Sequence, residues 1–283
     1  MLFRSVYIGL GSVWFSDFQL AHRQLGCRTM ISIEADPVTA SRARYNKPFR
    51  TVDVVQGESA QVLPGILRQP VLKGRPTIVW LDYDKAMDED RLAELADLIE
   101  ILPENSLLLS TFSASGGPYG QRPDSRPGRL RKLFGAAAPD DLSVESYKGD
   151  ALASVLASCS QDYLLARAQR RARVGSYVPA FMLTYRDGTP MVTVGGFLPS
   201  EENLALTEAT VASGEWIGID ANPITVPPLT PKEALALQEL LPRTFGALTR
   251  ADVRALGFDL EDGQVESFER HYLRYPTFFQ AAR

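Results

Sequence analysis

The chain has 283 residues, enough for one large domain or one domain with a small appendage. A net charge of -4 excludes a uniformly basic surface for nucleic acid, and two cysteines, Cys27 and Cys159, provide neither a disulfide framework nor metal-ligand spacing. No apolar run reaches membrane-spanning length and Met1-Leu2-Phe3-Arg4 does not open a signal peptide, so a reduced, cytoplasmic setting is expected.

In chain order, the first strand is expected at about Ser5 to Leu10, ending in Gly9-Leu10-Gly11. A helix from Ser16 to Leu25 follows, with Phe15, Phe18, Leu20 and Leu25 available to its buried face and Gly26 suited to a left-handed cap. Strand two, about Thr29 to Ile33, leads into Glu34-Ala35-Asp36 and a helix opened by Pro37. Strand three, about Val52 to Gln56, leads into Gly57-Glu58-Ser59 and a helix through Val62 and Ile66. Strand four, about Thr77 to Leu81, runs into Asp82-Tyr83-Asp84-Lys85, and a helix from Glu89 to Ile101 carries Leu92, Leu95, Leu98 and Ile99 on one side. Strand five is expected at Ser106 to Thr111. Four successive βα units imply a parallel sheet with right-handed crossovers, whose ligands bind outside the carboxyl ends of the strands.

The segment from Ser113 to Gly128 is dense in glycine and proline and is expected to be a mobile rim or lid. Helices are expected at Leu130 to Phe134 and Lys148 to Arg173. Asp187-Gly188 between two apolar runs predicts a hairpin. Pro223, Pro227, Pro228 and Pro231 suggest a stiff linker. Helices are then expected from Thr230 through Leu241 and from Thr249 to Leu256, before an aromatic tail that begins near His271. The expected organisation is a domain at 1–198, a proline-rich linker at 199–229 and a small helical region at 230–283.

These blocks resemble the class I S-adenosylmethionine-dependent methyltransferases over residues 5 to 198, with the O-methyltransferases of the catechol type as the nearest group. The resemblance implies a Rossmann-like, doubly wound, mostly parallel seven-stranded sheet with an antiparallel terminal hairpin. It implies S-adenosylmethionine as cofactor. Gly9 and Gly11 would form the turn that lets backbone approach it, and Glu34, 23 residues past Gly11, would hold the ribose beside Ala35. Glu58 and Ser59 would flank the adenine, and Asp82 would lie near the sulfonium or the acceptor. Leu81-Asp82-Tyr83-Asp84-Lys85 is similar to the strand-four motif of the catechol group, which makes Asp82, Asp84 and Lys85 the candidate catalytic residues.

This chain departs from the pattern in three places. Tyr7 stands where the family has an acidic residue, and Asp17 is the candidate to replace it. Val13 and Trp14 replace the third glycine of the turn. Ser110-Thr111 occupies the end of strand five, where the catechol group has its Asp-Asn metal ligands, so no metal is expected.

Plainer roles compete at several positions. Asp36 before Pro37 suits a helix cap, Glu58 and Ser59 suit a cap as well as an adenine contact, and His22 and His271 suit packing. The clusters Arg126, Arg129, Arg131, Lys132 and Arg167, Arg170, Arg171, Arg173 suit solvated helix faces as well as nucleic acid.

The expected activity is methyl transfer to an oxygen or nitrogen of a small molecule. The alternatives are a non-catalytic methyltransferase fold that works through a protein partner of its C-terminal region, and a nucleic-acid methyltransferase. A nicotinamide oxidoreductase fits poorly, because Trp14 stands in place of the third glycine. Residues 199–283 match no pattern from which a substrate can be read.

Overall fold

The computed structural model describes residues 5–170, 176–220 and 222–274. In chain order its elements are β1 (Val6–Leu10), α1 (Ser16–Leu25), β2 (Thr29–Glu34), α2 (Pro37–Asn46), β3 (Val52–Gln56), α3 (Ser59–Leu67), β4 (Thr77–Ala86), α4 (Glu89–Ile101) and β5 (Ser106–Ser113). Then come α5 (Gly116–Tyr119), α6 (Arg126–Phe134), α7 (Gly149–Arg170), β6 (Val178–Asp187), β7 (Thr189–Leu198), α8 (Glu201–Val211), β8 (Ile224–Thr225), α9 (Pro231–Gln238), α10 (Arg250–Ala255) and α11 (Asp262–His271).

The chain forms two compact units, residues 1–184 with 189–222, and residues 185–188 with 223–283. In the first, the strand order is β3-β2-β1-β4-β5-β7-β6. The five leading strands pair in parallel and β7 runs antiparallel to β5, from Ser106 opposite Leu198 to Ser113 opposite Met191. Gly188 makes the hairpin turn between β6 and β7 with φ +67°, which glycine adopts without a Cβ penalty. The order reverses between β1 and β4, and that crevice is where an open α/β sheet receives a ligand.

The two faces of the sheet carry separate cores, because strand side chains alternate. Val6, Ile8, Ile33, Val79 and Leu81 bury against Leu63 of α3, Leu95 and Ile99 of α4, and Leu156 of α7. Tyr7, Met30 and Val52 bury against Phe15, Phe18 of α1 and Ala43 of α2. The inner face of α1 is Phe18 and Ala21, while Leu20 and Leu25, expected inside, are exposed. The small Ala21 lets the helix lie close to the sheet, and its two leucines turn outward.

Three further expectations change. β4 runs five residues past Leu81, and its pairing resumes at Ala86 opposite Ser113 after a register shift beyond Asp82. Acidic residues disfavour strands, but Tyr83 buries its ring here and holds the extension in place. Second, the rim from Ser113 to Gly128 is anchored. Tyr119 is 1% exposed, accepts from the Met87 N–H at 2.8 Å and donates to the Ser113 carbonyl at 3.0 Å. The buried Arg126 donates to the Gly120 carbonyl at 3.0 Å and to the Tyr147 carbonyl. Third, α8 stands inside the segment expected to be linker.

In the second unit β8 pairs with Tyr185 and Arg186. Leu237, Val253, Val265 and Phe268 form its small core. Thr230 with Glu233 and Thr249 with Asp252 close reciprocal capping boxes at α9 and α10. Asn222 ends the first unit and Pro223 begins the second. The arginines Arg171 and Arg173 and the aromatic tail past Arg274 lie outside the described residues. Among the described residues no helix is long and apolar enough to cross a membrane.

Candidate active site

The turn after β1 is built by close packing. The Gly11 N–H donates to the Ile33 carbonyl, and a Cβ on Gly11 would lie 2.6 Å from Glu34 Oε2 and 2.8 Å from Glu34 Cβ. Any larger residue there would displace the Glu34 side chain. Glu34 also accepts from the Asp36 N–H at 3.1 Å, while Asp36 caps α2 through the Thr39 N–H at 2.6 Å. The Glu34 carboxylate is thereby aimed at the glycine turn, with Ala35 exposed beside it.

Tyr7 and Asp17 meet on the same side of the turn. The Tyr7 hydroxyl donates to Asp17 Oδ2 at 2.5 Å, and a Cβ on Gly9 would lie 3.0 Å from that oxygen. Asp17 thus approaches the turn from the first turn of α1, while Tyr7 holds it. Burial pushes the Asp17 carboxyl up despite the hydrogen bonds that favour its charge, and burial with the Asp17 charge raises the Tyr7 phenol well above its ordinary range. Where the sequence lacks a third glycine, Phe15 adopts the left-handed conformation at φ 52°. Such a non-glycine outlier costs about 1–3 kcal/mol, and the complete burial of the Phe15 ring offsets it.

Asp82 lies beyond Gly9 on the same face of the sheet, because Gly9 pairs with Trp80 and Asp82 follows two residues later. Its carboxyl is open to water yet crowded by protein. Partial desolvation, then the Asp17 and Asp84 carboxylates, push it up to about 6. Tyr7, Asp17 and Asp82 therefore form one electrostatic group at the reversal of strand order. Asp84 and Lys85 are exposed farther along the extension.

Tyr83, between the two aspartates, faces the opposite core. Its hydroxyl donates to Glu94 Oε2 at 2.7 Å. Burial raises Glu94, against the Ser59 and Tyr83 side chains that favour its charge. The Tyr83 bond ties the β4 tip to α4. Ser59 is half-buried near Glu94, while Glu58 is exposed at the head of α3 and makes no side-chain cap bond. Glu94 had no distinguishing signal in the sequence, and Tyr7 was marked only as a departure from the motif.

Past the β4 tip lies a cavity of about 420 Å³, walled by Asp84 to Glu89, Arg91, Ser113, Pro118, Tyr119, Arg129 and Leu133. Asp82 and the glycine turn are not among its walls. Sequence reasoning missed its α5 and α6 side, since only the fold brings residues 118–133 against 84–91.

Other candidates have structural roles. Thr111 accepts from Trp80 Nε1 at 3.0 Å and shares a 2.7 Å hydrogen bond with Thr193. His22 sits 2.8 Å from the Cys27 carbonyl and lies against the Phe49 ring. Among the described residues no three histidine, cysteine, aspartate or glutamate side chains are grouped to hold a metal.

A family model described as "Putative O-methyltransferase" matches residues 2–283, including the region 199–283 in which no family pattern had been legible. A comparison with curated proteins returned no match. Solved structures with a similar fold include PigF with SAH (14% identity, 69% of this chain and 50% of PigF, TM-score 0.37). Others are an O-methyltransferase from Bacillus cereus in complex with SAH (15%, 68% and 73%, TM-score 0.38) and an S-adenosylmethionine-dependent methyltransferase from Mesorhizobium loti (11%, 67% and 89%, TM-score 0.40). This chain spans half the length of PigF. With the family match running over nearly every residue of this doubly wound sheet, the chain belongs to this O-methyltransferase family.

Proposed function

We propose that this chain binds S-adenosylmethionine at the carboxyl ends of β1, β2 and β4 and transfers its methyl group to an oxygen or nitrogen of a small acceptor. The observation that carries this reading is the packing of Gly11 onto the Glu34 carboxylate, beside the Tyr7–Asp17–Asp82 group. The donor set suits the cofactor. Glu34 can accept both ribose hydroxyls, the glycines let Glu34 and Asp17 close on the turn, and Asp17 and Asp82 favour a cation. Glu58 stands exposed at the end of β3, on the side proposed for the adenine.

When bound, S-adenosylmethionine supplies an electrophilic methyl group on a positively charged sulfur. The protein's residues then have three tasks. Glu34 and the turn fix the cofactor, and the β4 tip orients the acceptor for in-line approach. Asp82, pushed up to about 6, is ionised at neutral pH and basic enough to take the acceptor's proton at its carboxylate oxygen. Asp84 and Lys85 flank that position and complete the proposed catalytic set.

Calorimetric titration with S-adenosylmethionine and S-adenosylhomocysteine tests the reading. Dissociation constants of about 1–100 μM (about 5–8 kcal/mol) are expected, with binding lost in Glu34→Ala. No heat and no thermal shift with either ligand would overturn it and favour the non-catalytic alternative. Methylation of RNA or DNA in place of small acceptors would redirect the acceptor assignment.

A further inference from the structure

We infer that the cavity beyond the β4 tip is the acceptor site, and that it selects a small organic anion: a hydroxylated molecule with an apolar body and a carboxylate, the carboxylate held by Arg129. This rests on the proposed methyl-transfer reading and names the substrate class for the same edge of the sheet.

Size is the first argument. About 420 Å³ lies within the range of small-molecule sites. The second is the wall chemistry. Met87 and Tyr119 are buried, Leu133 is half-buried and Pro118 flanks them, so the body of the ligand meets apolar surface. The Tyr119 hydroxyl is committed to backbone on both sides and offers the ligand its ring.

The third argument is how the charges are spent. Arg91 is paired with Asp88 and donates to the Ala86 carbonyl at 3.1 Å. Glu89 is in the first turn of α4, where the helix dipole favours a negative charge. On α6, Arg126 is buried and bonded to backbone carbonyls, and Arg131 pairs with Asp140 at 3.3 Å. Arg129 lies one turn before Leu133 on the cavity side of the same helix, and among the described residues it makes no hydrogen bond or ion pair. A guanidinium left unpaired among the described residues, beside Leu133 and across from Met87 and Tyr119, is suited to a carboxylate, which it can grip through two parallel bonds.

The cavity therefore carries opposite charge on two of its walls, negative at Asp84 on β4 and positive at Arg129 on α6. An anionic acceptor enters with its carboxylate toward α6 and its hydroxyl toward Asp84. Lys85, on the strand between the two ends, adds positive charge without reversing the direction.

The test titrates protocatechuate and catechol, which differ by one carboxylate, into the full chain loaded with S-adenosylhomocysteine and into the unloaded chain. Protocatechuate is expected to bind at least about tenfold more tightly. Arg129→Ala should remove that preference and leave catechol and S-adenosylhomocysteine affinities unchanged, and Arg129→Lys should restore part of it. Because Arg129 is exposed, the variants are expected to keep the fold, which circular dichroism verifies. The inference is overturned if catechol binds as well as the acid, if neither binds either form, or if Arg129→Ala weakens both alike. Absence of S-adenosylhomocysteine binding would overturn the cofactor reading separately, since the preference for the acid is still measured on the unloaded chain.

Discussion

Carboxylates at the sheet edge of the first unit and those of the second unit are treated in opposite ways. In the second unit Asp252 is gripped by Arg243 at 2.7 Å and capped onto Thr249, which holds it down at about 2. Asp259 is held lower still between Arg250 and Arg254. At the edge of the first unit Asp17 and Asp82 have no ion pair among the described residues, and they are pushed up by burial, Asp82 also by like charge. Paired acids lose their basicity and serve the fold. Asp82, crowded at the sheet edge, is pushed up to about 6, which suits proton transfer.

The sharpest way to break this comparison is at the glycine turn. Gly11→Ala places a Cβ on the Glu34 carboxylate and is expected to weaken S-adenosylhomocysteine at least about a hundredfold, roughly 3 kcal/mol, by calorimetry. Unchanged affinity would show that Glu34 is not a ligand.

Asp82→Asn comes next. Turnover is expected to fall about 100-fold or more while cofactor affinity changes little. In the native chain turnover should drop about tenfold per pH unit below about 6, as Asp82 takes up a proton. Stability has the opposite sign. The folded chain holds the Asp82 proton up to about 6 and an unfolded carboxyl releases it near 3.8, so this group makes stability fall as pH rises through that window. Asp82→Asn should therefore raise the Tm at pH 7 in a thermal melt. Asp17→Asn, by removing one like charge, should move the acid limb of the rate profile to lower pH.

Tyr83→Phe leaves a buried Glu94 oxygen without its donor and is expected to cost about 1–3 kcal/mol in denaturant unfolding. It should also loosen the β4 tip, raising the acceptor KM more than it lowers kcat. The smallest effect belongs to the second unit: Asp259→Asn breaks exposed ion pairs and should leave turnover unchanged and the Tm barely moved. A large loss of activity in that variant would end the division between fold acids and site acids.

Alternating apolar strands and helices, with glycine or carboxylate at each strand end, were enough to read the order of elements through β5 and the hairpin at Gly188. The β4 extension was hidden because Asp82, Asp84 and Lys85 look like a loop until Tyr83 is seen to anchor them. The rim looked mobile because its glycines and prolines are visible in the sequence, while the burial of Tyr119 and Arg126 depends on distant backbone. Tyr7 read as a departure from a motif. Asp17 was the candidate to replace the missing carboxylate, and the structure joins the two by a hydrogen bond.

The sequence by itself determined which residues lie at the carboxyl ends of the strands, since periodicity and turn chemistry are local. Tertiary structure decided which of them act together. Tyr7 with Asp17 and Asp82, Ser59 with Tyr83 and Glu94, and Arg129 with the β4 tip are each far apart in sequence, and their proton affinities and free valences exist only once packing has removed water and set their neighbours.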